Sequence, residues 1–346
     1  TTMSRHRRLS SGSSGRLVIE DFHITYEGYT YPYGKIAYVE GRPPAPIVLV
    51  HPNYAGCKQF DVDQAAFLAR VGYVGVAMDL YQENPDYRFE DRNPSREDAP
   101  FPDAINANSS DGEVEMHELS KRHFQGAFRV MNELLYHPKR IRALTAAYLE
   151  KARAHPAAHK EFAAGIGYCL GGQTCLEQVR AGHNIQGTVT FHGLLQSYPL
   201  LNLFTSEMRR MTEEEYQSQV DVPPNNYNTK CKVLVENGDI DDHVPPQAIE
   251  FWKKEMDSQG IDWRFNNHAR TPHGFALAPG VWSNCYTEDA DRRSTLSMLS
   301  FFAELWPEFP QNAVERNACG TRLGQALEVL DALASSGAGD FTASRL

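Results

Sequence analysis

An α/β architecture, with a mainly parallel sheet covered by helices on both faces, is the fold class this 346-residue sequence predicts. Three observations carry it. Short, continuously apolar runs recur, such as Ile47-Val48-Leu49-Val50 and Tyr73 to Met78, and an unbroken run marks a strand buried on both faces. Helix-compatible segments separate these runs, so neighbouring strands run parallel. Between residues 162 and 173 a buried strand, a sharp glycine-bounded turn and a helix start follow one another: Phe162-Ala163-Ala164-Gly165-Ile166-Gly167-Tyr168-Cys169-Leu170-Gly171-Gly172-Gln173.

In chain order, residues 1–16 are rich in Arg, Ser and Gly and lack acids until Glu20; they read as a flexible segment outside the fold. Val18 to Tyr26 and Tyr31 to Val39 form an antiparallel hairpin at a sheet edge. The central strand at Ile47–Val50 ends in the loop His51-Pro52-Asn53-Tyr54-Ala55-Gly56. A helix is expected from about Asp61 to Val71, and the strand after it ends at Asp79-Leu80-Tyr81. Residues 82–112 are polar and proline-bearing, an insertion long enough to be functional. Helices follow over Val114 to Leu135 and Ile141 to Ala154. Beyond the glycine turn come a strand at Ile185–Phe191, a second insertion at 196–229, a strand at Cys231–Glu236 and the loop Gly238 to Pro245. A helix over Gln247–Ser258, a last strand at Asp262–Asn267, the loop Pro272-His273-Gly274-Phe275 and a closing helix over Leu296–Trp306 complete the body at 17–308. Residues 309–346 form a C-terminal extension with one modest helix near Arg322 to Ala334.

The formal charge is -10, which disfavours nucleic acid or an anionic membrane surface as main partner. No run of about 18 apolar residues is present. Six cysteines lie scattered without metal-site spacing, a pattern of free thiols in a reducing compartment. Neither a P-loop nor a dinucleotide fingerprint is found, and no cofactor or metal is expected.

The turn at 167–172 supplies a nucleophile. A side chain on a strained strand-to-helix bend stands clear of the sheet, glycines two before and two after let the backbone pass, and the helix N-terminus favours a thiolate and an oxyanion. A thiol nucleophile needs a base and an acid to orient it, each in a loop at the carboxyl end of a strand. The order nucleophile, acid, histidine is met by Cys169, Asp241 and His273. Asp239 and Asp242 compete with Asp241; His51, His192, His243 and His268 compete with His273.

Gly167-Tyr168-Cys169-Leu170-Gly171-Gly172, Asp79-Leu80-Tyr81, Gly238 to Pro245 and His273-Gly274-Phe275-Ala276 resemble the dienelactone hydrolase family, a branch of the α/β-hydrolase superfamily. The resemblance spans about Leu17 to Trp306. It implies Cys169 as nucleophile, His273 as base and Asp241 as orienting acid. It also implies an oxyanion hole from the backbone N–H groups of Leu170 and Asn53, and pocket walls at Tyr54, Tyr81 and Phe275. The family's first-loop glutamate is replaced by Pro52. Its substrate-carboxylate arginines, after the Asp-Leu-Tyr and His-x-Phe-Ala stretches, are replaced by Gln82-Glu83 and Leu277, which cannot make the bidentate contact. A less anionic small-molecule ester, lactone or thioester is therefore expected as substrate. Two rival readings are a catalytically idle protein of this fold that binds a ligand or partner, and a redox thiol protein with Cys175 as resolving partner. Ser344-Arg345-Leu346 resembles a peroxisomal address read by an import receptor, so the peroxisomal matrix and the cytoplasm are the expected locations.

Overall fold

Ile47 and Leu49 enter one hydrophobic core and Val48 and Val50 another, all fully buried; two cores, one on each face, explain an apolar run without alternation. The computed structural model describes residues 15–92, 118–277 and 285–318. Its sheet has eight strands: β1 (Leu17–Asp21), β2 (Lys35–Val39), β3 (Ala45–His51), β4 (Val74–Ala77), β5 (Ala158–Tyr168), β6 (Gly187–Phe191), β7 (Lys232–Gly238) and β8 (Trp263–His268). Their spatial order is β1-β2-β4-β3-β5-β6-β7-β8. Only the β1–β2 and β2–β4 pairs are antiparallel. This is an α/β-hydrolase fold.

The helices are α1 (Gln59–Val71), α2 (Glu118–Leu135), α3 (Pro138–Arg153), α4 (Leu170–Arg180), α5 (Glu213–Gln219), α6 (Pro246–Ser258), α7 (Glu288–Leu305) and α8 (Ala313–Ala318). Phe67 and Leu68 of α1 and Leu299 and Phe302 of α7 fill the core with Val48. Leu134, Leu144, Leu176 and Trp252, from α2, α3, α4 and α6, fill the core with Ile47.

Three departures have local causes. The N-terminal hairpin pairs Leu17 with Val39, but Ile24–Tyr26 and Tyr29–Tyr31 leave it to make a small hairpin of their own. Glu27 and Gly28 both have positive φ, 49° and 82°, the two-residue turn that tight hairpins favour. Helix α7 begins at Glu288, earlier than Leu296, because Glu288, Asp289 and Asp291 in its first turn suit the positive end of the helix dipole without any apolar periodicity. Strand β5 reaches back to Ala158 through the polar His159-Lys160-Glu161. The helix expected near Arg322 to Ala334, most of the 82–112 insertion, residues 1–14 and the Ser344-Arg345-Leu346 terminus lie outside the described residues.

Candidate active site

Strands β3 and β5 are parallel neighbours, yet the chain leaves β3 through α1 in one core and β5 through α4 in the other. Their outgoing loops therefore diverge, and the crevice between them is where an open α/β sheet places a site. Asn53 follows β3 and Cys169 follows β5; Asp241 follows β7 and His273 follows β8.

Cys169 sits at φ 55°, ψ −117°, a conformation that costs a residue with a side chain of order 1–3 kcal/mol and persists only where the surroundings enforce it. Here they do. Its N–H donates to the Phe191 carbonyl at 3.2 Å, and its own carbonyl accepts from the N–H groups of Gly172 and Leu194, each at 2.9 Å. The glycines are steric necessities: a Cβ on Gly167 would stand 2.1 Å from the Gly171 carbonyl oxygen, one on Gly171 2.3 Å from that of His51, and one on Gly172 2.4 Å from the Gly193 Cα. The thiol is 8% exposed at the head of α4.

His273 and Asp241 come together across the ends of β7 and β8. The imidazole Nδ1 lies 2.8 Å from Asp241 Oδ2, and Asp241 Oδ1 accepts the His243 N–H at 2.9 Å. The supporting backbone is close-packed, since a Cβ on Gly238 would meet the Thr271 carbonyl oxygen at 2.3 Å. His273 Nε2 is buried and makes no hydrogen bond of ordinary geometry; Cys169 acts on the ring through charge. Burial opposes the imidazolium, but the charge available at Cys169 and the bond to Asp241 outweigh it and hold the His273 pKa well above its usual value.

The competing residues are engaged elsewhere. Asp239 accepts from Asn267 at 2.8 Å, and Asp242 lies 2.7 Å from His243 Nδ1. His268 meets Glu236 at 2.8 Å. His51 spans Thr174 and Gln178 at 2.8 and 2.9 Å, and full burial pushes its pKa down to about 3. The other two rival histidines flank His273 itself: His243 stacks on it at 4.3 Å and 20°, and His192 meets it edge-on at 5.0 Å. Asp241, His243 and His273 offer donor atoms within 4.8 Å of one another. Asp241 already accepts two hydrogen bonds there, from the His243 N–H and at His273 Nδ1.

Asn53 is pinned through its side chain. Its Oδ1 accepts from the Ala55 N–H and from Lys58 Nζ, each at 3.0 Å, and the buried Lys58 also reaches Asp61 at 3.1 Å. The hydroxyls of Tyr81 and Tyr87 donate to the carbonyls of Tyr54 and Ala55 at 2.7 and 2.9 Å. This loop abuts the head of α4, as the contact between Gly171 and the His51 carbonyl shows. Leu170 opens α4, and Tyr54, Tyr81, Leu170 and Cys169 share one core cluster. Phe275 is fully buried against His192 and His268, at ring distances of 5.3 and 5.4 Å, in the opposite core; there it braces the histidine loop. Cys175 is fully buried and its thiol is pushed far up by burial, which makes it inert.

The second insertion contributes Arg210, unmarked by any motif. Leu200–Leu201 pairs with Arg209–Arg210 as a short hairpin. Arg209 forms a bidentate pair with Glu215 at 2.7 and 2.6 Å on the outside. Arg210, on the alternate side, has no carboxylate partner among the described residues; its Nη1 bonds the Ser197 hydroxyl and the Tyr198 carbonyl. Desolvation lowers the Arg210 pKa, and the charge available at Cys169 acts against that.

Comparisons with known proteins agree on the architecture. The structure named m3DLH is 23% identical, with 84% of this chain and 99% of that one covered at a TM-score of 0.59. A dienelactone hydrolase-like promiscuous phosphotriesterase, P91 from metagenomic libraries, is 22% identical with the same coverages and a TM-score of 0.53. In sequence, an uncharacterized protein of Caenorhabditis elegans is 24% identical over 166 residues, 46% of this chain and 89% of that protein. The dienelactone hydrolase family model matches residues 35–306, the stretch that holds every strand from β2 to β8, and the chain therefore belongs to that family and is a hydrolase acting on esters.

Proposed function

We propose that this protein is a cysteine-nucleophile hydrolase of small esters, lactones or thioesters, working through Cys169, His273 and Asp241 and an acyl-enzyme. The observation that carries the reading is the His273 ring: one nitrogen is bonded to a buried carboxylate, the other is left open, and its charge is coupled to a sulfur on a strained bend. A base oriented in this way is what a thiol nucleophile needs.

The Cys169 thiolate attacks the carbonyl carbon, and negative charge develops on the carbonyl oxygen. The backbone N–H groups of Leu170 and Asn53 are the donors for that oxygen; the bonds from Lys58, Tyr81 and Tyr87 keep the Asn53 loop from yielding as the charge forms. The C–O bond of an ester or lactone, or the C–S bond of a thioester, breaks, and the His273 imidazolium gives the departing oxygen or sulfur its proton. The neutral imidazole then takes a proton from water, whose oxygen attacks the acyl-cysteine, and sulfur departs as thiolate. Asp241 holds the tautomer in which Nε2 faces the reaction. Thiolate is a better leaving group than an amine, so the tetrahedral adduct from an amide reverts, and esters and thioesters are favoured over peptides. Gln82 and Leu277 offer no bidentate cation, whereas Arg210 brings one positive charge from the insertion.

The test compares wild type with Cys169→Ala on a panel of lactones, aryl esters and acyl thioesters. Loss of turnover on every substrate the wild type cleaves, with an unchanged fold by circular dichroism, is expected. Survival of that turnover would show that sulfur is not the nucleophile.

A further inference from the structure

One cavity of about 180 Å³, whose lining does not include Cys169, is bounded by Gln173, Glu177 and Arg180 of α4 and by residues of the second insertion, among them Ser197, Tyr198 and Glu213. Gln173 is 5% exposed. Its Nε2 donates to the Ser197 carbonyl at 3.0 Å, which fixes the amide and leaves Oε1 as an acceptor. That oxygen is buried and has no partner. An unmet buried acceptor costs about 1–3 kcal/mol, and a native structure keeps one where something else completes it.

The charges in the cavity wall have a definite sign. Arg180 is committed to Glu177 and Glu255 at 3.0 and 2.7 Å. Arg142 is committed to Glu177 at 2.8 Å, to the Pro224 carbonyl at 3.1 Å and to Asn225 at 2.6 Å. Two arginines balance two glutamates. Glu213, also in the wall, has no ion pair among the described residues, so the lining itself holds three carboxylates against two guanidiniums; Arg210 lies outside the lining and bonds Ser197 and Tyr198 within it. Aromatic rings make part of the remaining wall, beside Gln196, Gln217 and Val222: Tyr198 and Tyr216 lie 4.9 Å apart, with Tyr227 and Phe251 also in the lining. The Tyr227 hydroxyl is spent on Glu255 at 2.7 Å.

We propose that this cavity is a binding site for a small organic ammonium ion, whose N–H groups donate to Gln173 Oε1 and whose charge is met by Glu213 and by the faces of the tyrosines. An unpaired carboxylate, an open amide oxygen and π-faces are all complements of a cation with hydrogen to donate. The volume exceeds the roughly 150 Å³ in which an apolar cavity takes up benzene, so a compound of about eight non-hydrogen atoms fits.

The experiment is calorimetric titration of the full chain with three matched probes: benzylammonium, benzyl alcohol and benzoate. Saturable one-to-one binding of benzylammonium is expected, with benzyl alcohol about tenfold weaker and benzoate silent. Glu213→Gln, at an exposed position that does not endanger folding, should weaken benzylammonium about fivefold while sparing benzyl alcohol. Gln173→Leu should weaken both by about tenfold. Benzoate binding at least as well as benzylammonium, no saturable binding by benzylammonium, or affinities unmoved by Glu213→Gln would each overturn the proposal.

Discussion

His51 is fully buried and His273 largely so, both lie at or beyond the carboxyl end of a parallel strand, and they are left in different charge states. His51 has a neutral partner on each nitrogen, Thr174 and Gln178, and burial drives its pKa to about 3. His273 has a carboxylate on one nitrogen, an ionisable sulfur near the other, and a pKa driven up. Burial pushes both imidazoles the same way, so the partners decide. A histidine whose two nitrogens are satisfied by neutral groups ties β3 to α4; one with a single anionic anchor has a proton to move.

The contrast is broken most severely at the sulfur. Cys169→Ala should cost on the order of 10⁶ in kcat and, with the charge at 169 gone, lower the His273 pKa toward the ordinary value of about 6.5; imidazole resonances followed by NMR against pH report the shift, and an unmoved pKa would show that Asp241 alone sets it. Next comes Asp241→Asn, which removes the anionic anchor and frees the wrong tautomer: a loss of about 10⁴ in kcat is expected, measured at saturating substrate, whereas a loss under tenfold would mean another group orients the ring.

The third difference lies in stability. The depressed His51 pKa means stabilisation that is present above about pH 6.5 and is lost as pH falls toward about 3, at about 1.4 kcal/mol per pH unit. The raised His273 pKa has the reverse sign, its contribution being complete below about pH 6.5 and lost as pH climbs through the folded-state value. Urea unfolding of His51→Gln between pH 7 and 4 should therefore give a flatter acid slope than wild type, and equal slopes would contradict a neutral His51. The smallest effect belongs to Arg210→Met, which should slow iodoacetamide alkylation of Cys169 by about threefold at low salt, with the gap narrowing as salt rises; a rate insensitive to the substitution would place the guanidinium outside the field of the sulfur.

Much of this was legible along the chain, for physical reasons. Continuous apolar runs disclose strands with two buried faces, and glycines at 167, 171 and 172 disclose a bend with no room for a Cβ. The loop residues Asp241 and His273 could be narrowed by order along the chain but not separated there from their rivals, because Asp239 and Asp242 differ from Asp241 in what they touch and not in type. Arg210 and Gln173 were illegible. Nothing in a residue's neighbours along the chain tells whether its guanidinium meets a carboxylate, as Arg209 does, or whether its amide oxygen is left over once the nitrogen has bonded.

Gly171 packs against the end of β3, and Gly172 against the turn that follows β6. Exchanging sulfur for oxygen at the apex alters one atom in a crevice, whereas adding a methyl at either glycine forces separate strand ends apart. Saturation mutagenesis across 167–172 should accordingly find position 169 more tolerant, by retained foldedness, than the glycines beside it, so that a new side chain is easier to graft here than a new bend.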